Sequence, residues 1–150
     1  MKFEIPEPLR LEHEELHARL VKATKESGAV GEAAREVARL LHPHFVREEE
    51  FALPPLGLLS RVATGDITTE MAEVLTMTRR LKAEFSQMLE EHRQIVGALE
   101  KLRTAARAAG QAEHDHFADA LILHAQTEEQ VLYPAAMLVG EIIERGTGAP

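Results

Sequence analysis

A short motif that occurs twice in the chain constrains its fold more than any other feature of the sequence. The motif reads His-x-x-x-Glu-Glu, followed by an apolar turn and a proline, and its copies begin at His44 and His124, eighty positions apart. On a helix, residues i and i+4 lie one above the other on the same face. Each copy therefore predicts a helix that presents one imidazole and one carboxylate, from Glu48 or Glu128, in the same direction.

Apolar residues recur at the spacing of an amphipathic helix through four segments of the chain. The predicted helices run from Pro6 to about Ser27, from about Gly31 to Leu53, from Thr68 to Ala109, and from about Asp115 to Glu144. We expect prolines to bend the second helix at Pro43 and the fourth at Pro134, and the long third helix to break within residues 81–86. The pattern predicts a single all-α domain over residues 1–150. Its expected form is an antiparallel up-down-up-down four-helix bundle with short extra helices after the second helix and at the C-terminus.

Histidine interrupts the apolar stripe of every predicted helix, at His13, His44, His92 and His124. A lone histidine on such a stripe is more often a hydrogen-bonded core residue than a metal ligand. Here the pair Glu12-His13 also parallels Glu91-His92, so the two halves of the chain match as a repeat. An internal pseudo-two-fold axis would bring all four imidazoles together.

The two motif carboxylates, Glu48 and Glu128, would lie inside the bundle with these imidazoles. A buried carboxylate without compensation costs several kcal/mol, which a domain of this size cannot repeat many times. Bound cations would neutralise the carboxylates, so the pattern predicts a site for two divalent metal ions. Imidazole and carboxylate donors leave iron, manganese, zinc and copper open. The spacing differs from the Glu-x-x-His of ferritin-like bundles, and the excess of histidine favours small-molecule binding or sensing over iron storage.

The composition limits which cellular compartment and which classes of binding partner we expect for the protein. The 150 residues include no cysteine and carry a formal net charge of −8. The absence of cysteine fits a reducing compartment, and the first residues lack the basic and apolar regions of a signal peptide. No apolar run approaches the roughly 18 residues of a membrane span. We therefore expect a cytoplasmic protein that binds neither membrane nor nucleic acid, because nucleic-acid binding requires a basic surface.

The chain resembles the hemerythrin-like, or HHE cation-binding, family over nearly its whole length. The residues that carry the resemblance are His13, His44-x-x-x-Glu48-Glu49, His92 and His124-x-x-x-Glu128-Glu129, in that order on successive helices. The resemblance implies a non-haem centre of two iron ions, Fe2+ or Fe3+, bridged by Glu48, Glu128 and an oxo or hydroxo group. Zinc or manganese remains an alternative. Members of the family bind O2, sense oxygen or iron, or act in nitric oxide responses and iron–sulfur cluster repair.

The sequence departs from the respiratory oxygen carriers of that family at two places. The fourth helix carries His124-x-x-x-Glu128 instead of a His-x-x-x-x-Asp unit, and His92 is followed at i+4 by valine instead of histidine. The first helix instead carries His17 one turn after His13. We predict that His17 supplies the fifth imidazole ligand; the alternative is a residue at the boundary of the site.

Other polar residues near the motifs have weaker interpretations. Glu49 and Glu129 are expected to form solvated salt bridges, with hydrogen bonding to a ligand imidazole as the alternative. Tyr133 is expected to pack in the core or line the pocket. The remaining histidines, His42, His114 and His116, are interpreted as exposed residues, the last two at the start of the fourth helix.

The sequence leaves three functions open. The first is a di-iron protein that binds or senses a small diatomic or anionic ligand, such as O2, nitric oxide or peroxide, without turnover. The second is a di-iron oxidoreductase acting on peroxide or nitric oxide, or an iron donor in cluster repair. The third is a metal-free helical interaction module. The oligomeric state cannot be read from these patterns.

Overall fold

Six α-helices account for most of the computed structural model of the protein, which describes residues 1–150 and contains no strand. They span Glu7–Thr24 (α1), Gly28–Arg47 (α2), Leu59–Ala63 (α3), Leu75–Ala108 (α4), Ala112–Thr127 (α5) and Tyr133–Thr147 (α6). Short 3-10 helices at Pro54–Leu58 and Thr69–Val74 flank α3. The long helices α1, α2, α4 and α5, with α6 continuing α5, pack as a four-helix bundle, which confirms the predicted all-α class. None of these helices combines the length and apolarity needed to cross a bilayer.

Three helix starts differ from the predicted ones, and one predicted break is absent. The third helix, predicted from Thr68, begins as the 3-10 helix Thr69–Val74 and becomes α-helical only at Leu75. Helix α2 begins at Gly28 and α5 at Ala112, each three residues earlier than the sequence suggested. Helix α4 continues without interruption through residues 81–86, because Leu81 and Met88 both extend its buried stripe. The chain leaves α4 through Gly110, whose φ of 69° lies in the left-handed region that favours glycine.

Each His-x-x-x-Glu motif ends in a π turn that begins at its glutamate. These turns span Glu48–Ala52 and Glu128–Leu132. The Leu53 N–H donates to the Glu48 carbonyl at 2.9 Å, five residues back, where an α-helix would use the fourth. A proline follows shortly after each turn, and its missing N–H and bulky ring disfavour the α-helical hydrogen bond to the carbonyl four residues earlier. The kink expected at Pro134 therefore takes the form of a π turn, an element that often occurs at functional sites.

The apolar core is divided by one layer of polar side chains. On one side lies a cluster that includes Leu16, Leu41 and Leu121, and on the other lies a cluster that includes Phe51 and Met88. The buried histidines occupy helical positions between these clusters, and the motif glutamates join them. Water is excluded from this layer by apolar packing on both sides, so its polar groups depend on one another for their compensation.

Candidate metal centre

Six buried side chains from four helices converge between the two apolar clusters. They are His13 on α1, His44 on α2, His92 on α4, His124 on α5, and Glu48 and Glu128 at the starts of the π turns. Their donor atoms form two groups, each with all atoms within 4.8 Å of one another. Each group contains two histidines, and both groups share Glu48 and Glu128. This is the two-fold arrangement that the repeat in the sequence predicted.

We define the A position as the group that contains His13 and His124, and the B position as the group that contains His44 and His92. The Nε2 atoms of the paired imidazoles are 3.1 Å apart at the A position and 2.9 Å apart at the B position. Glu128 Oε2 lies 3.2 Å from His124 Nε2, and its Oε1 lies 3.4 Å from His92 Nε2. One carboxylate thus reaches both positions, as a bridging ligand must.

An outer carboxylate faces the Nδ1 atom of each of these four imidazoles. Glu91 lies 2.8 Å from His44 and Glu129 lies 3.0 Å from His92, while Glu12 contacts His124. Glu49 is 3.6 Å from His13, which is longer than a hydrogen bond.

The outer carboxylates fix the tautomers of three imidazoles. Because an ionised carboxylate only accepts hydrogen bonds, Nδ1 of His44, His92 and His124 is the donor. In the neutral form each of these rings then presents an Nε2 lone pair to the centre. Two such lone pairs about 3 Å apart repel each other unless a proton or a cation lies between them. The outer carboxylates therefore prepare the rings to bind metal, as is usual for metal-ligating histidine.

The buried carboxylates lack the donors that an ionised group of this kind requires. Both oxygens of Glu48 and Oε2 of Glu128 have no hydrogen-bond partner, and the two residues are at most 1% exposed. The His44 Nε2 atom lies 2.8 Å from Glu48 Oε1 but without the geometry of a hydrogen bond. Three orphaned carboxylate oxygens beside inward-facing imidazole nitrogens are a donor set that fits divalent cations of the iron, manganese or zinc type.

Without metal, the two glutamates divide their charge unequally. Burial, together with the adjacent Glu48 carboxylate, raises the pKa of Glu128 well above its ordinary value. Burial also acts to raise the pKa of Glu48, but the adjacent Glu128 carboxyl and the His44 imidazole outweigh it and lower the pKa to about 2. Two carboxyl groups this close cannot both ionise at low cost, so the pair retains one proton until a cation replaces it.

The histidines show the same competition. Burial lowers the pKa of His92 and of His124, and the charges of the neighbouring imidazoles add to this effect. For His44 burial acts in the same direction, but Glu48 and Glu91 outweigh it and the pKa is raised. His92 and His124 thus favour the neutral form, which is the form that binds metal.

Groups outside the ligand set differ between the two positions. The Tyr133 hydroxyl lies 3.2 Å from His92 Nε2 and 3.4 Å from His44 Nε2, so of the four imidazoles it contacts those of the B position. Arg47 contacts Glu91 and also Glu84, and it therefore neutralises the outer carboxylate of His44. At the A position the ring of Phe45 stacks on His13 with centroids 4.3 Å apart.

Two histidines lie in surroundings that the sequence did not predict. His17, predicted as a fifth ligand, is exposed and lies outside both groups, because Leu16 and Leu20 take the inward positions of the next turn of α1. The prediction that His114 is exposed is wrong. It is buried, and its Nε2 lies 3.2 Å from Glu26 Oε1, because α5 begins early enough to turn this side chain towards the α1–α2 connection. His42 and His116 are exposed as expected.

Sequence analysis missed two of the outer carboxylates. Glu12 and Glu91 each precede a ligand histidine in the chain but contact a histidine of another helix, His124 and His44 respectively. Glu12 and Glu91 occupy equivalent places in the repeat, and this match was the signal in the sequence that could have identified them. For Glu129 the alternative interpretation, hydrogen bonding to an imidazole, is the one that the structure supports.

The fold and the buried layer define a class of helical-bundle proteins that hold cations between histidine and glutamate side chains. The model of one family, the hemerythrin HHE cation-binding domain, matches residues 5–136. The chain therefore belongs to this family, as its resemblance in sequence implied. Neither a curated protein nor a solved structure matches the chain with statistical significance.

Proposed function

We propose that the protein holds two iron ions, one at the A position and one at the B position, and binds O2 or a related small ligand there without turnover. The observation that carries this proposal is the pair of donor groups that share Glu48 and Glu128. Two imidazoles for each ion and only two carboxylates in total make the donor set rich in nitrogen. Such a set favours the lower oxidation state of iron more than the carboxylate-rich sites of iron storage proteins do.

The residues around the two metal positions would have different roles. Glu48 and Glu128 hold both ions and supply the negative charge that compensates them. Bound iron supplies the capacity for reversible binding and one-electron exchange. Glu12, Glu91 and Glu129 keep the Nδ1 protons in place and orient the imidazole rings. The apolar clusters on both sides keep bulk water from the centre, which strengthens each electrostatic contact there.

Metal quantitation and an optical spectrum of the purified protein test the proposal directly. We expect two iron ions per chain, a spectrum that changes reversibly on oxygenation and deoxygenation, and no net consumption of O2. Replacing Glu48 with alanine should remove most of the metal. Replacing Glu50, whose side chain is 58% exposed, should not.

Other results would favour the alternatives. Steady consumption of peroxide or nitric oxide by the iron-loaded protein would favour an oxidoreductase. Protein that takes up no metal and is not destabilised by the Glu48→Ala change would indicate a helical interaction module. A full complement of zinc or manganese, with iron rejected in competition, would refute the choice of metal alone. The cytoplasmic location stays a prediction.

A further inference from the structure

The outer carboxylates are more exposed at the A position than at the B position. Behind the two imidazoles of the B position, the side chains of Glu91 and Glu129 are 23% and 33% exposed. Behind those of the A position, the side chains of Glu12 and Glu49 are 49% and 54% exposed. Contacts of an exposed carboxylate are weakened by competing water. The imidazoles of the A position are therefore held less firmly on their outer side.

His13 has the weakest hold of the four ligand imidazoles. Its Nδ1 lies 3.6 Å from Glu49, whereas Glu129, at the equivalent place in the repeat, lies 3.0 Å from His92 Nδ1. The ring of His13 is positioned instead by Phe45, with the ring planes 10° apart. Stacking orients the plane of a ring but does not direct Nδ1 towards one partner as a hydrogen bond does. His13 is therefore the ligand with the greatest freedom to leave a metal ion.

Arg47 gives the B position a further support. Its side chain is 18% exposed and contacts two carboxylates of α4, those of Glu84 and Glu91. Paired contacts of a guanidinium with carboxylates fix their geometry, so Glu91 keeps its place behind the imidazole that it holds. At the A position the equivalent of Arg47 is Thr127, which carries no charge, and no cation contacts Glu12.

The shared carboxylates allow one ion to leave while the other stays. Glu48 and Glu128 belong to both donor groups. One divalent ion balances the charge of two carboxylates, so an ion that remains at the B position still compensates both of them. Departure of the other ion therefore avoids the large cost of an uncompensated buried charge.

We propose that the ion of the A position exchanges with solution while the ion of the B position is retained, because Arg47 and Glu91 support a B-position imidazole and no hydrogen-bonded carboxylate supports His13. The inference rests on the proposed function, because it requires metal at both positions. It assigns the retention of metal to positioning residues outside the six ligands. The rate of release depends on how long each imidazole stays in place, which is a different property from the charge that the imidazole donates.

Release of iron to ferrozine, a chelator that forms a coloured complex with ferrous iron, measures both ions independently of any activity. The protein is loaded with ferrous iron without oxygen and its iron content is quantified before mixing. The native protein should release its two ions in two phases of equal amplitude, with rates that differ by about tenfold or more. Protein recovered after the fast phase should still contain one ion per chain.

Two variants that copy the other half of the repeat test which position each phase represents. Arg47→Thr copies Thr127 and should speed the slow phase by about tenfold while the fast phase stays unchanged. Phe45→Ala copies Ala125 and should speed the fast phase while the slow phase stays unchanged, because it removes the ring that positions His13.

Matched controls change an arginine and a phenylalanine elsewhere. Arg39 lies on the same helix as Arg47 but its side chain is 67% exposed, so Arg39→Thr should leave both rates unchanged. Phe117→Ala removes a ring from the apolar cluster that includes Leu16, and it should also leave both rates unchanged. A fast phase that Phe117→Ala speeds as much as Phe45→Ala does would overturn the role of Phe45 in positioning His13.

The release rates can also refute the proposal as a whole. Release of both ions from the native protein in a single phase would refute retention at the B position. Acceleration of the slow phase by Phe45→Ala or of the fast phase by Arg47→Thr would overturn the assignment, and so would unchanged rates in both variants. Native protein that holds fewer than two ions would refute the proposed function instead, and the iron content measured before mixing separates the two failures.

Discussion

Replacing Glu128 with glutamine should change the stability of the protein in opposite directions with and without metal. Glu128 is 1% exposed, and burial together with the Glu48 charge raises its pKa well above the ordinary value. In the metal-free protein the residue therefore keeps its proton above the pH at which an ordinary glutamate ionises, and glutamine is close to an isostere of the neutral acid. In the metal-loaded protein the same group must be ionised to hold the cations, and glutamine cannot supply that charge.

The sign of the metal-free effect follows from proton linkage. Below the unfolded-state pKa of about 4.5 both states bind the proton, and the stability linked to it is fully present. As pH rises towards the higher pKa of the folded state, the unfolded chain ionises and the folded protein does not. The free energy of unfolding of the native sequence then falls by about 1.4 kcal/mol per pH unit. Glutamine has no such proton, so Glu128→Gln should gain stability over the native protein at that slope.

Bound metal should reverse which of the two proteins, native or Glu128→Gln, is the more stable. At a free metal concentration of roughly 1,000 times the dissociation constant, binding stabilises the native protein by about 4 kcal/mol. The variant loses the carboxylate whose two oxygens reach His124 and His92, so its affinity and its stabilisation should both be much smaller. The native protein should then have the higher melting temperature.

Urea unfolding followed by circular dichroism, at several values between about pH 5 and pH 7, measures both effects. The native value is subtracted at each pH, which removes the contribution of groups common to both proteins. Glu50→Gln, at an exposed carboxylate of the π turn Glu48–Ala52, is the control and should change stability by less than about 0.5 kcal/mol. A difference between Glu128→Gln and native protein that is independent of pH would refute the argument from the raised pKa. Equal stabilisation of both by metal would refute the role of Glu128 as a ligand.

Three further changes test packing. Gly140→Ala should destabilise the protein by about 1–3 kcal/mol, because a Cβ there would lie 2.4 Å from the Thr78 hydroxyl, where α6 approaches α4. Gly97→Ala, at an exposed position of α4 with nothing within 4 Å, should instead stabilise it by roughly 0.5–1 kcal/mol, and thermal melts distinguish the two signs. Phe117→Ala, in the apolar cluster that includes Leu16, Leu41 and Leu121, should lower the free energy of unfolding in urea by about 3–5 kcal/mol. The metal content of the folded fraction should stay unchanged. Loss of metal from that fraction would show that the apolar cluster and the metal centre depend on each other.

The sequence allowed prediction of the bundle and of the six converging residues because both depend on periodicity. Apolar spacing specifies which face of a helix is buried, and His44 and Glu48 lie on that face at i and i+4. The π turns were missed because their hydrogen bonds reach one residue farther than the spacing of side chains reveals; Pro54 and Pro134 were the only signal. The burial of His114 was missed because helix starts vary by a few residues, and at the first turn that variation decides which way a side chain faces.

His17 shows a limit of reasoning from spacing alone. A residue at i+4 from His13 satisfies the geometric rule for a shared face as well as Glu48 does from His44. The rule does not say which of the i+3 and i+4 neighbours turns inward. On α1 the apolar Leu16 at i+3 takes the buried position and its partner Leu20 extends the stripe, so His17 is rotated towards solvent. On α2 the residue at i+3 is the charged Arg47, and Glu48 turns inward instead.

The repeat explains why the ligands are symmetric and why their surroundings are not. Symmetry is preserved where both halves must supply the same donor, at the four histidines and two glutamates. It is lost one turn away, where Arg47 corresponds to Thr127 and Leu53 to Tyr133. Arg47 binds Glu91 behind His44, whereas Glu12 behind His124 contacts no cation. A carboxylate neutralised in this way polarises its imidazole less, so His44 should donate less charge to a metal than His124 does. Two ions with equivalent ligands would then differ in electron density, and the difference would come from Arg47, which belongs to neither donor group.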